Sequence, residues 1–299
     1  MEKACRIHSF IGAIQLCPEL LTEPGKKLIL SGRRDPIMGV KGAHMVSASY
    51  LKAWSDDRHR VDVIDLEQSR GFTTAIGNAT VVSYAYQPDL LKHDLEGEFA
   101  GIETHGMRAI HKARYGHPLS SLEKANVVAF LNMHLDRGRY ADQTQIRTPA
   151  VVLKTDGEVE NVELNLGDRL RLSQSMTEVL RLDSLGLERW PWAVHEAKGL
   201  ITGDGAVLLW RAERARDSKI VTVSFPISPT QLLVIGRDIS SSEHMNTRVS
   251  MNSRRWLVGG HGTLEKDRAK IFDAGRFRQP LVRQDNPQPA VESAKIPNS

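Results

Sequence analysis

The chain has 299 residues, with 40 Lys and Arg against 36 Asp and Glu and only two cysteines. Its 40% hydrophobic and 25% charged residues suit a globular protein with a sizeable core and exclude a disordered chain. Cys5 and Cys17 make neither a disulfide framework nor a thiolate metal site, so a reducing, cytoplasmic setting is expected. The apolar stretch 10–21 is broken by Gln15 and Pro18, which excludes a membrane span and a signal peptide, and no membrane partner is expected.

Residues 1–40 carry Pro18, Pro24 and Pro36 with no sustained period and read as an irregular extension. A single domain is expected over 41–260. Residues 43–54 form a short helix or loop, 55–58 a turn, and Arg60-Val61-Asp62-Val63-Ile64-Asp65-Leu66 alternates as a half-buried, edge-type strand. From Asp94 the period shifts to about 3.6, with Leu95, Phe99, Ile102, Met107 and Ile110 on one face, predicting an amphipathic helix to about Gly116. A second helix opens on Ser120 with Glu123 at N3, a capping box. It runs to about Arg139, apolar nearly all round and therefore central. The short connection at 115–118 makes the two an antiparallel αα-hairpin.

A third helix is expected over 170–185, stopped by Gly186. Short apolar runs at 190–194, 200–202, 206–210, 220–225 and 231–235 then predict an antiparallel β meander, with Gly203-Asp204-Gly205 as a hairpin turn. Helices in the middle and strands in the second half define an α+β fold, a central helical hairpin and third helix packed with the meander. Residues 261–299 read as a basic tail, disordered over 284–299. From Ser253 onward there are nine basic and five acidic residues, leaving 31 of each sign in the preceding 252. The whole net charge of +4 is thus C-terminal, an arm suited to nucleic acid or an acidic partner. Arg254 and Arg255, which open this segment, are expected to bind.

No P-loop, dinucleotide fingerprint, zincin motif, nucleophile elbow or C-x-x-C is present, so no nicotinamide, flavin or structural zinc is expected. His111 with Arg114, and His134 with Arg137, share helix faces three residues apart. Such pairs resemble the general base and phosphate-stabilising arginine of metal-independent ribonucleases, and also arise on ordinary solvated faces. Glu96, Glu98 and Glu103 offer carboxylates to a divalent cation.

The run His44-Met45-Val46-Ser47-Ala48-Ser49-Tyr50-Leu51-Lys52-Ala53-Trp54 resembles the opening motif H-Y-V-P-x-x-Y-L-x-x-F of the family called domain of unknown function 4238. Four further pieces follow in the family's order: Ser83-Tyr84-Ala85-Tyr86 ahead of Leu95-Glu96 and Ile102-Glu103; the helix ending at Arg139; Leu200-Ile201-Thr202-Gly203-Asp204-Gly205-Ala206-Val207; and Phe225-Pro226-Ile227-Ser228-Pro229. The resemblance spans about residues 41–258. Ser47 and Ala206 stand where the family has Pro, and Gly203 where Ser is common. The resemblance nominates His44, Tyr50, Glu103, Arg139, Thr202 and Asp204 and implies no activity.

Chemically, this set suffices for acid/base or metal-assisted phosphoryl transfer. The leading expectation is a hydrolase on nucleic acid or a nucleotide, a nuclease-like effector. His44 is its general base, Glu103 and Asp204 orient it or hold Mg or Mn, Arg139 holds phosphate, and Tyr50 and Thr202 bind. The alternative is a non-catalytic sensor or interaction module in which the same residues are an ordinary buried network.

Overall fold

In the computed structural model the described residues are 42–83, 90–91, 94–153, 157–177, 179–212, 218–239 and 244–265. The N-terminal extension with its two cysteines, Tyr84 to Tyr86, and nearly all of the basic tail lie outside them. The chain opens with β1 (Ala43–His44), one helical turn α1 (Ala48–Leu51) and a 3₁₀ turn (Lys52–Trp54). A hairpin of β2 (Arg60–Asp65) and β3 (Arg70–Ala75) follows, and β4 (Val81–Val82) returns to pair with β1. Next come α2 (Leu95–Arg114), α3 (Ser121–Arg139), the hairpin β5 (Thr148–Leu153) and β6 (Val159–Leu164), and α4 (Leu166–Ser175). The second half supplies β7 (Trp192–Glu196), β8 (Thr202–Gly203), β9 (Leu208–Arg211), β10 (Ile220–Ser228), β11 (Gln231–Gly236), α5 (Met245–Asn252) and β12 (Trp256–Gly259).

The two long helices form where local signals agree. The Asp94 side chain accepts the Gly97 amide at the start of α2, and at α3 Ser120 and Glu123 cap each other's backbone reciprocally. These bonds satisfy amides that the first helical turn leaves without partners. Helix α3 is buried over most of its second half, as its apolar composition predicts. The fold is α+β, with the αα-hairpin against antiparallel sheets.

The sheets depart from a single meander. Strands β9, β10 and β11 are sequential neighbours, but β7 pairs with β11, giving the order β7-β11-β10-β9. Strand β8 leaves this sheet for another, ordered β3-β2-β12-β8. Accordingly β2 is an inner strand rather than an edge, with Val61 to Asp65 all buried. Its alternating aspartates are buried acceptors: Asp62 takes the Thr73 hydroxyl and the Gly262 amide, and Asp65 takes the amides of Glu67 and Gln68. The third helix also differs. It starts earlier, on a capping box of Asn165 and Asp168, and ends at Ser175. Gly186, left-handed at φ 64°, instead closes a separate 3₁₀ turn, Asp183–Leu185.

One continuous apolar core joins these elements, and Tyr50, Phe130 and Phe225 are among its largest side chains. A smaller cluster of Leu91, Ala150, Val152, Leu164 and Leu172 lies beneath the β5–β6 hairpin.

Candidate functional site

Asp204 follows β8 and is 3% exposed. Its Oδ1 accepts the Arg254 amide at 2.8 Å, and Oδ2 accepts the amides of Arg255 at 2.8 Å and Trp256 at 3.2 Å. The Gly-Asp-Gly segment is a turn, as its composition suggests, but the strands it joins, β8 and β9, belong to different sheets, so it closes no hairpin. It is clamped between α3 and residues 252–256, and its glycines leave no room for a side chain. A Cβ on Gly203 would lie 2.2 Å from the Trp256 carbonyl oxygen, and one on Gly205 2.3 Å from the Ser253 nitrogen. Burial pushes the Asp204 carboxyl up to about 6, against the opposing pull of the three amides.

Directly across this segment, His134 of α3 sets Nε2 2.9 Å from the Gly203 carbonyl oxygen, which makes that nitrogen the protonated donor. His134 is buried, and desolvation pulls its imidazole down to about 4, so it is neutral at pH 7. Around it stand Tyr50, Phe130 and Phe225, with ring centroids 5.8, 6.5 and 5.3 Å away. The Tyr50 hydroxyl donates to the Pro226 carbonyl at 2.6 Å and accepts from Thr202 Oγ1 at 2.7 Å. Full burial raises the phenol's proton affinity, so it stays neutral. Tyr50, Thr202, His134 and Asp204 thus meet around β8.

The other nominated residues belong to different clusters. Glu103 Oε1 accepts from Arg137 Nη1 at 2.6 Å, and Oε2 from Ser47 Oγ at 2.7 Å. Ser47 in turn accepts from Ser49 at 2.8 Å, so the serine standing at the family's proline position supplies a partner to Glu103. Arg137 also lies over the Phe99 ring at 4.6 Å. Arg139 binds the Asp136 carboxylate and donates to the Leu180 carbonyl at 2.5 Å. The second oxygen of Asp136 takes Arg181 Nη1 at 2.7 Å. His44 holds the Ala79 carbonyl at 3.0 Å beside the β1–β4 pair. Arg254 pairs with Asp142 at 3.3 Å; Arg255 lies 3.3 Å from Asp65 and 3.0 Å from Glu67, and bonds Thr144.

No hydrogen bond between the described residues joins His44, Glu103, Arg139 and Asp204 directly. Among the described residues, no three His, Cys, Asp or Glu side chains group closely enough to hold a metal ion. Glu103 and Asp204, expected to hold a divalent metal or to orient His44, each have their oxygens taken up by N–H or O–H donors of the chain itself. Of the two His/Arg pairs, His134 and Arg137 are buried but serve different partners. His111 packs edge-on against Tyr115, while Arg114 reaches the Ile227 carbonyl at 2.6 Å.

Sequence reasoning misses the Asp136 ion cluster and the cavity beside it. That cavity, about 300 Å³, lies between α2, α3 and Gln174, Arg181, Asp183 and Glu188. A second, more open groove of about 330 Å³ runs between α3, β9 and α5, where Arg248 stacks on Trp210 at 4.2 Å.

The fold and its clusters define an α+β protein with a buried polar frame around the helical hairpin. Residues 43–179 match the family described as Protein of unknown function (DUF4238), the one that the opening motif resembles. The match takes in His44, Tyr50, Glu103 and Arg139; Thr202, Asp204, Arg254 and Arg255 lie beyond it. No curated protein and no solved structure matches the chain. Among the described residues, no helix is long and apolar enough to cross a membrane.

Proposed function

We propose that the protein is a non-catalytic sensor or interaction module whose nominated polar residues build its frame. The observation that carries this reading is the commitment of Asp204: both oxygens accept main-chain amides of residues 254–256. A carboxylate so engaged holds β8 against the start of β12 and has little capacity left for a metal or a catalytic histidine. The separate anchoring of His44, Glu103 and Arg139 supports the same reading, since catalytic partners work within hydrogen-bond reach of each other or of one substrate. The two cysteines of the chain support a cytoplasmic setting.

The reading set against it is a nuclease-like hydrolase, with His44 as base, Mg or Mn at Glu103 and Asp204, and nucleic acid drawn by the basic C-terminal segment. Purified full-length protein incubated with RNA, DNA and nucleoside triphosphates in Mg²⁺ or Mn²⁺ separates the two. The module reading expects no turnover that distinguishes wild type from His44→Ala, and a lowered Tm for Asp204→Ala. Cleavage by wild type that is lost in His44→Ala at unchanged Tm overturns it.

A further inference from the structure

The cavity that α2 and α3 form with Gln174, Arg181, Asp183 and Glu188 has a floor of Phe99, Ile102, Val128 and Met133, and its volume of about 300 Å³ is at the lower end of the range in which small organic ligands are held. Its polar lining is unbalanced. Arg181 is the only cation among the described lining residues, and its charge is committed to Asp136 at 2.7 Å, with Asp183 4.0 Å away. Asp136 is further neutralised by Arg139. Glu188 therefore adds negative charge that no cation among the described lining residues offsets. Glu188 is half-buried and forms no hydrogen bond or ion pair with any described residue.

Deeper in the cavity stands Asn132, 4% exposed. Its Oδ1 accepts the Leu182 amide at 2.9 Å, which fixes the orientation of the side-chain amide. The Nδ2 group then donates to no described residue, yet it is not sealed from the cavity. A buried amide donor without an acceptor is costly, so natural structures give such a group a partner. The cavity thus offers one carboxylate, one amide donor and an apolar floor between them.

Resting on the module reading above, we propose that this cavity binds a small organic amine. The ammonium pairs with Glu188, a compact apolar body covers the floor, and an oxygen acceptor takes the Asn132 Nδ2 hydrogen. An anion of the same shape is rejected by Glu188, because like charges brought together out of water repel strongly.

Isothermal titration of the full chain with L-phenylalaninamide tests this, with N-acetyl-L-phenylalanine as the anionic control and 2-phenylethylamine as the amine lacking the carbonyl. The expected result is saturable binding of phenylalaninamide, weaker binding of phenylethylamine, and none of the anion. Glu188→Gln, at a half-exposed position where folding is not at stake, weakens binding by about tenfold, the effect of one lost charge contact. Ala125→Phe, which fills the cavity from α3, abolishes it. Absence of binding, equal binding of the anion, or indifference to both substitutions at unchanged Tm overturns the proposal. Wild-type turnover of RNA would end the module reading and leave amine binding to be judged by its own titration.

Discussion

Gly138 of α3 and Asp204 meet main chain to main chain: a Cβ on Gly138 would stand 2.1 Å from the Asp204 carbonyl oxygen. One turn earlier on the same helix, His134 donates to the Gly203 carbonyl. The helix therefore lies directly on the Gly-Asp-Gly segment, and the contact that draws β8 out of the meander is made possible by a missing side chain.

Gly138→Ala should accordingly destabilise the fold by about 1–3 kcal/mol, the range for overpacking against structure that cannot move aside. The obstacle is backbone, so rotamer changes give no relief. Gly101 in α2 is the control, because a Cβ there meets nothing within 4 Å. Gly101→Ala should gain up to about 1 kcal/mol from helix propensity. Urea unfolding midpoints of opposite sign for the two variants are the expected outcome; two shifts of the same sign refute this account of the α3 contact.

The Tyr50 hydroxyl bridges α1 to β8 and β10 through Thr202 and Pro226. Tyr50→Phe leaves the Pro226 carbonyl without that donor in a dry site, and should cost about 1–3 kcal/mol. Thr202→Val removes the other half of the bridge. Because the two share one hydrogen bond, their effects should not add, with a coupling of at least about 0.5 kcal/mol in a double-mutant cycle. Strict additivity in denaturant unfolding would show that the bridge contributes nothing jointly.

How much of this was legible in the sequence follows from the range over which each signal acts. The αα-hairpin was, because period and caps are local: Ser120 and Glu123 are three residues apart, and Asp94 stands three before Gly97. The strand order was not. Whether β8 pairs with β9 or β12 depends on how closely α3 approaches residues 203–205, which neither segment states alone. Asp204 between two glycines reads as a turn, and a turn it is, but the sequence does not say that the strands on either side of it join different sheets. Asp136 gave no signal at all. An aspartate flanked by helix-forming residues looks like a surface charge, and its partner Arg181 lies 45 residues further on.

Asp136, 2% exposed, is held between Arg139 and Arg181. Burial raises its carboxyl above the ordinary range, and the two arginines oppose that shift. Arg181→Met removes one of them and should destabilise by about 1–3 kcal/mol at pH 7, less than the loss of a sole buried partner because Arg139 stays. The carboxyl of the variant rises further, so it protonates more readily in the folded state. The loss should therefore shrink as pH falls from 7 to 5. Urea unfolding at the two pH values checks this, and a loss that grows on acidification contradicts it.

His134 and Asp204 flank the same segment with opposite shifts, and together they predict an unusual pH profile. Between about pH 4 and 6 the folded protein holds His134 neutral and Asp204 protonated, whereas the unfolded chain has a protonated histidine and an ionised aspartate. Each state then binds one proton on this pair, so the pair gives stability no slope with pH. Removing either member unmasks the other. In Asp204→Asn only the depressed histidine remains. Its stabilisation is present above about 6.5 and lost as pH falls towards 4, so stability rises with pH. In His134→Gln, where the amide can still donate to Gly203, only the raised aspartate remains. Its contribution is full below about 4 and lost as pH rises towards 6, so stability falls with pH. Relative to wild type, the urea midpoints of the two variants measured from pH 4.5 to 6.5 should diverge in opposite directions, each by up to about 1.4 kcal/mol per pH unit. Variant profiles parallel to wild type would mean that neither group carries its shift.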